Sequence, residues 1–292
     1  MLKGTIIKGI GGFYYVKCDD GIYSCRARGK FRKESLTPIV GDIAHIEVTD
    51  KGKKEGYVIE ILPRKNELFR PQVSNIDLLL ITFATQNPEP SLALIDKLTV
   101  TAEARGIPVA ICINKCDLNP EKAEEYAKIY TTAGFLVLVL SAETGENVEA
   151  LKDLLKGKTT ALAGSSGVGK SSLLNAIGES FNLKTGGVSD KIQRGKHTTR
   201  HTELFPLSFG GFVFDTPGFG SFEIENISYR DLPSLFPEIK AFEGGCRFTG
   251  CSHIKEPDCS VKDALSEGKI PQSRYDSYTE LYEELKKIKE WQ

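Results

Sequence analysis

Between residues 164 and 171 the chain reads Gly-Ser-Ser-Gly-Val-Gly-Lys-Ser. Placed after an apolar strand and before a helix, such a run lets backbone N–H groups turn inward onto phosphate oxygens. Gly164, Ser165, Ser166, Gly167, Val168 and Gly169 form that cradle, with Ser172 just behind it. Lys170 supplies a point charge for β and γ oxygens, and Ser171 a hydroxyl for Mg²⁺. Upstream, Asn114-Lys115-Cys116-Asp117 follows an apolar run. The Asp117 carboxylate can accept from both N1–H and the exocyclic amine of guanine, whereas adenine would leave it unpaired. Ser141-Ala142 follows the next apolar run, where backbone N–H groups can meet the guanine O6. Downstream, Asp215-Thr216-Pro217-Gly218 closes another apolar run. Asp215 there can hold a Mg²⁺-bound water, and the Gly218 N–H can reach a γ-phosphate. In the segment Gly195-Lys196-His197-Thr198-Thr199-Arg200-His201, either Thr198 or Thr199 can complete the Mg²⁺ shell, with Thr199 placed foremost.

A second constellation lies near the C-terminus. Cys246-x₄-Cys251-x-His253-x₅-Cys259 offers three thiolates and an imidazole, the donor set of a tetrahedral Zn²⁺. Four protein ligands leave no open position, so the ion is expected to be structural, holding a segment with too few large apolar residues to fold on its own core. The other four of the seven cysteines are scattered, which argues for metal rather than disulfides.

These residues need elements to position them. From Gly4 to about Leu62, short β-prone runs broken by Gly11-Gly12, Asp19-Asp20-Gly21 and Asp50-Lys51-Gly52 predict about five strands. A unit of that size suits a small barrel, of which the OB-fold is a common nucleic-acid-binding form. The basic run Arg26-Ala27-Arg28-Gly29-Lys30-Phe31-Arg32-Lys33 reads as an RNA-facing surface or as a solvated charged loop. From Asn75 to Gly220, strands alternate with helices: apolar runs at Ile76–Phe83, Ile107–Ile113, Phe135–Leu140 and Thr160–Ala163, and helices from Ser91, Pro120, Val148 and Gly169. This predicts a mainly parallel sheet with ligand loops at the strands' carboxyl ends. The remainder ends in a helix whose stripe of Tyr275, Tyr278, Leu281, Tyr282, Leu285 and Ile288 reads as core packing. Short linkers are expected near Arg64–Pro71 and Glu223–Asn226.

At 292 residues two or three domains are expected. With 38 Lys and Arg against 39 Asp and Glu, no global field drives the chain onto polyanions, so any nucleic-acid contact must be local. The N-terminus runs straight into strand-like sequence, and no stretch is apolar over a membrane's thickness, so a cytosolic protein with no membrane partner is expected.

The order of the motifs narrows the reading. Guanine nucleotide-binding proteins usually carry the phosphate loop first; here Asn114–Asp117 and Ser141–Ala142 precede Gly164–Ser171, Thr198/Thr199 and Asp215–Gly218, the order of circularly permuted GTPases. With the N-terminal barrel, the Gly-Lys-His-Thr-Thr-Arg-His segment and the Cys/His cluster, the sequence resembles, over essentially its whole length, the ribosome-small-subunit-dependent GTPase family, RsgA, also called YjeQ or YloQ. The resemblance implies an RNA-binding OB-fold over residues 1–66, a circularly permuted α/β P-loop GTPase domain over 67–224, and a small α-rich zinc domain with the C-terminal helix over 225–292. It further implies GTP and GDP, Mg²⁺ and one structural Zn²⁺ as cofactors, and the small ribosomal subunit with its rRNA as partner of a monomer acting in late subunit maturation.

Two functions compete: a GTPase whose slow turnover is raised by an RNA-protein partner, and a nucleotide-gated RNA-binding assembly module in which hydrolysis is incidental. Permutation has its own consequence, because the chain beyond Gly218 leads directly into the Cys/His segment and so couples the γ-phosphate sensor to it. The position after Gly218 is Phe219, where many GTPases carry a water-orienting glutamine. His201 is the favoured replacement, since a neutral imidazole can accept from water and the residue resembles the family's second histidine; His197, Arg200 and a group of the ribosome are the alternatives.

Overall fold

The computed structural model describes residues 1–28, 31, 36–69, 71–178, 202–214 and 227–289. Five strands, β1 (Leu2–Ile10), β2 (Phe13–Cys18), β3 (Gly21–Ala27), β4 (Ile43–Asp50) and β5 (Glu55–Ile61), close a barrel in the order β1-β2-β3-β5-β4. All neighbours are antiparallel except β3 and β5. Alternation along each strand turns Ile6, Val16, Tyr23, Cys25, Ala44, Ile46 and Val58 inward to one core. Each large side chain buried there contributes roughly 1.5–3 kcal/mol.

Within the expected linker near Arg64–Pro71, the described residues make specific contacts. Strands β6 (Glu67–Phe69) and β7 (Gln72–Ser74) pair antiparallel. The fully buried Asp42 carboxylate accepts from Arg64 Nε at 2.7 Å and Nη2 at 2.9 Å, from Ser74 Oγ at 2.6 Å and from the Ile39 N–H at 2.9 Å. A buried carboxylate needs such partners, and meeting that need fastens the segment to the barrel.

Six further strands form the main sheet: β8 (Leu78–Ala84), β9 (Val109–Asn114), β10 (Leu136–Val139), β11 (Thr159–Ala163), β12 (Leu204–Pro206) and β13 (Phe212–Phe214), in the order β10-β9-β8-β11-β13-β12. β9–β10 and β11–β13 are parallel, and β12 runs antiparallel to β13. Helices α1 (Leu92–Ala104), α2 (Pro120–Thr132), α3 (Val148–Leu155) and α4 (Lys170–Ala176) alternate with the strands. Ser91 caps α1 through its side chain, Asn119 caps α2 with Pro120 in the first turn, and Gly106 and Gly134 follow the two helix ends at positive φ. The chain thus joins an all-β barrel, an α/β P-loop domain and a helical C-terminal region carrying the Cys/His group.

By compactness it divides in two. One unit holds Met1–Leu79, Lys152–Leu162 and residues 202–214; the other holds Leu80–Leu151 and residues 163–178 and 227–289. In the second unit the C-terminal region has more of a core than its composition suggests. Short helices α5 (Pro237–Lys240) and α6 (Ser260–Ser266) and the long α7 (Gln272–Lys289) bury Leu232, Phe236, Ile239, Val261, Ile270, Tyr278, Leu281 and Leu285 together with Val100 of α1. Against that core the fully buried Arg274 of α7 donates to Asp96 Oδ1 at 2.7 Å, Thr99 Oγ1 at 3.1 Å and Glu238 Oε1 at 2.6 Å. Rings of Phe236, Phe135 and Tyr130 surround its guanidinium at 4.7, 5.3 and 5.9 Å. Burial alone would lower its pKa, but Asp96 and Glu238 raise it, so the charge is retained.

Candidate functional site: three loops around a buried asparagine

The phosphate loop leaves β11 at Gly164, whose φ is +135° and where a Cβ would lie 2.0 Å from the Thr82 carbonyl oxygen. No other residue fits there without moving β8. Gly169 enters α4 at φ +98°, and a Cβ on it would stand 2.3 Å from Asn114 Nδ2. Val168 is buried between them, while Ser166 and Gly167 are exposed at the tip. Lys170 Nζ lies back over the loop, donating to the carbonyls of Gly164 and Ser165 at 2.7 Å each. Burial lowers its pKa. Ser171 is half-buried and Ser172 exposed on the first turn of the helix.

Asn114, only 1 % exposed at the end of β9, ties three loops together. Its Nδ2 donates to the Val168 carbonyl at 2.8 Å, and its Oδ1 accepts from the Ala142 N–H at 3.1 Å. Lys115, at φ +61°, donates from Nζ to the Gly167 carbonyl at 2.9 Å and to the Asn87 carbonyl. Ser141 Oγ accepts from the N–H groups of Glu143 at 3.3 Å and Thr144 at 3.2 Å, shaping the turn that holds Ala142. Asp117 remains exposed beside this frame. Its neighbour Cys116 is buried with Sγ 3.5 Å from Glu146 Oε2, and burial, then that carboxylate, pushes the thiol up to about 11.

Residues 85–91 also belong to the frame, though the sequence shows them only as a polar, proline-containing connection. Thr85 Oγ1 donates to the Lys115 carbonyl at 2.7 Å, and Pro88 Cδ is 3.7 Å from a Cβ built on Gly167. His197, Thr198, Thr199, Arg200, His201, Asp215, Gly218 and Phe219 lie outside the described residues.

At the Cys/His group, the donor atoms of Cys246, Cys251, His253 and Cys259 all lie within 4.8 Å of one another, and no disulfide joins them. Cys246 Sγ is 3.8 Å from Cys259 Sγ, and His253 Nδ1 is 3.5 and 3.4 Å from the same two sulfurs. A tetrahedral ion with bonds of ~2.3 Å sets its ligands ~3.8 Å apart, so the group could hold a metal ion. Burial lowers the His253 pKa, which favours the neutral ligand form, and Nε2 faces Glu243 Oε1 at 3.9 Å. The loop carrying His253 is held from two sides. Tyr275 and Tyr278 donate their hydroxyls to the carbonyls of His253 and Ser252 at 2.6 and 2.7 Å, a role beyond the core packing their spacing indicates. Glu256 accepts from Ser252 N and Oγ at 2.9 and 3.0 Å and from the N–H of Lys255 at 3.1 Å. Burial would raise that carboxyl, but these donors hold it down at about 2.

The model of the RsgA GTPase matches residues 61–225, and that of the RsgA N-terminal domain residues 3–58. The chain belongs to the RsgA GTPase family. Among RsgA relatives, a protein of Agathobacter rectalis called small ribosomal subunit biogenesis GTPase RsgA is 49% identical over 98% of both chains. The crystal structure of YjeQ from Thermotoga maritima shares 36% identity over 97% of this chain and 98% of its own, with a TM-score of 0.84. YloQ, whose structure is titled a circularly permuted GTPase, shares 39% identity over 99% and 96%, with a TM-score of 0.82. The motif order, the barrel and the P-loop domain are thus those of the RsgA fold. Among the described residues, no helix is long and apolar enough to cross a membrane.

Proposed function

We propose that this chain hydrolyses GTP to GDP and phosphate during late maturation of the small ribosomal subunit, and that the subunit stimulates the reaction. The observation that carries the nucleotide reading is Asn114, which bonds the phosphate loop through Val168 and the Ser141–Ala142 loop through the Ala142 N–H. One buried amide thereby fixes the distance between a phosphate cradle and a base-reading loop. Relatives called small ribosomal subunit biogenesis GTPase support the biological setting.

In this reading the N–H groups of residues 164–169 surround the phosphates, Lys170 turns from its own loop carbonyls to the β and γ oxygens, and Asp117 selects guanine. Mg²⁺, held by Ser171, Thr199 and Asp215, would neutralise phosphate charge. His201 orients the attacking water, and the Gly218 N–H senses the γ-phosphate. Cys246, Cys251, His253 and Cys259 would hold one structural Zn²⁺. Domain limits at 66 and 224 follow the motif blocks, and the protein acts as a cytoplasmic monomer on the subunit's rRNA. Phosphate release from GTP, measured with and without purified small subunits, tests the proposal. Stimulation is expected. GTP-dependent subunit binding with no turnover would instead establish the nucleotide-gated module.

A further inference from the structure

The Cys/His group has a further side chain aimed at it from outside. His253 turns Nδ1 to the sulfurs of Cys246 and Cys259, at 3.5 and 3.4 Å, so its other ring nitrogen is left for a different partner. That Nε2 faces Glu243 Oε1 at 3.9 Å, with 3% of the histidine side chain and 35% of the glutamate side chain exposed. Local geometry brings the carboxylate there. Glu243–Gly245 form a 3₁₀ turn that ends at Cys246, whose N–H donates to the Glu243 carbonyl. Such a turn nearly eclipses side chains three apart, so Glu243 and Cys246 leave it on the same side.

The imidazole is fixed from other directions as well. The Tyr278 ring lies 6.5 Å from it, centroid to centroid, and the Tyr275 hydroxyl donates to the His253 carbonyl at 2.6 Å. Glu256 is the rival carboxylate, but its oxygens already accept from the N–H groups of Ser252, Ile254 and Lys255 and from the Ser252 hydroxyl. Among the described residues, the Glu243 side chain has no other hydrogen bond or ion pair. At 3.9 Å its contact with Nε2 is electrostatic, short of a hydrogen bond, and a partly exposed glutamate has the torsional freedom to close it. A carboxylate on the outer nitrogen keeps the proton on Nε2, leaves the Nδ1 lone pair for a cation and makes that lone pair more basic.

We infer that Glu243 is a positioning residue for the metal site, holding His253 in its Nε2–H tautomer and thereby tightening zinc binding. The inference rests on the proposed structural Zn²⁺ and adds an outer partner that the Cys/His spacing does not reveal. Glu243, Cys246, Cys251 and His253 also line one cavity of about 760 Å³, through which a chelator can approach the group and report its affinity.

The test is competition for zinc between the full chain and a chromophoric chelator, with elemental analysis of the purified protein and NMR of isotope-labelled histidine. Glu243→Ala is expected to weaken zinc binding about ten-fold or more, the scale of losing an outer partner of a metal-bound histidine. Glu243→Gln keeps an acceptor oxygen without the charge and should fall between the two. Glu280→Gln removes the same charge from an exposed position of α7 and should bind zinc like the parent. In the zinc-loaded parent, the His253 Nε2 proton should exchange slowly with water, and it should exchange faster in Glu243→Ala. Equal GDP affinity in all variants separates this effect from a folding defect. Unchanged zinc affinity in Glu243→Ala overturns the inference. So does weakened affinity with Nε2 proton exchange as in the parent, because the side chain would then act only on the loop backbone. A proton found on Nδ1 in the zinc-loaded parent overturns it too. A parent chain that binds no zinc removes the proposed metal and the inference together, whereas a zinc-binding parent with an unaffected Glu243→Ala removes the inference alone.

Discussion

Asp117 is exposed while its neighbour Asn114 is buried and doubly bonded, so the two residues of one loop carry separate duties. Asp117→Asn should therefore leave the loop frame intact while changing its chemistry. An amide can donate to the xanthine O2 where a carboxylate only accepts, so guanine nucleotides should bind more weakly and xanthine nucleotides more tightly. Competition binding with GDP and XDP reads this directly, and an unchanged base preference would remove Asp117 from recognition. For water activation, His201→Ala is expected to lower subunit-stimulated turnover by roughly 10²-fold or more with GTP affinity retained. Normal stimulated turnover in that variant would pass the role to His197, Arg200 or a ribosomal group.

At the scale of elements, the joint between α7, α1 and α5 is unusual in burying one cation against two carboxylates. Arg274→Leu removes the cation from two buried carboxylates, leaving Asp96 the Tyr130 hydroxyl at 3.1 Å in place of a charge partner, a change of about 3–5 kcal/mol. Chemical denaturation should show that loss, and a difference below about 1 kcal/mol would mean that water reaches the joint. The Cys/His loop is tied more loosely, through Glu256. Its carboxyl sits at about 2 in the folded chain, below the usual value near 4.3, so the stabilisation it provides is complete above pH 5 and fades as pH falls through about 2. Because the group is partly exposed, about 1 kcal/mol is expected at pH 7, lost in Glu256→Gln and largely gone from the comparison near pH 2. The denaturation difference between parent and variant, followed from pH 7 to pH 2, checks the sign. An equal difference at both ends would show that the effect is steric.

Across the whole molecule, the rotated motif order makes the sequence after Asp215–Gly218 the covalent path from the last nucleotide motif to the Cys/His region. The C-terminal region is also joined to α1 through Arg274 and Val100 within its own unit, so the nucleotide domain has two mechanical routes to it. If the first route responds to the γ-phosphate, limited proteolysis across residues 219–250 should differ between GDP and a non-hydrolysable GTP analogue. Identical cleavage in both would leave the permutation without a mechanical role.

Sequence alone determined what is local. Glycine spacing and the lysine mark the phosphate loop because only glycine tolerates the positive φ and close approach at 164 and 169. Two-residue alternation gives the five barrel strands, and the Cys/His spacing gives the ligand group, since neither depends on distant chain. What only the tertiary structure decided is who meets whom. Asn114 reaches Val168 across 54 positions, and Arg274 reaches Asp96 across 178. Arg64 of the expected linker reaches Asp42, and the tyrosines of the final helix hold the Cys/His loop by their hydroxyls. Arg26 meets Phe13 and Tyr57 only through strand register. Periodicity tells a residue which face it occupies; the identity of the partner depends on chain topology, because buried polar groups must find their bonds wherever the fold brings them together.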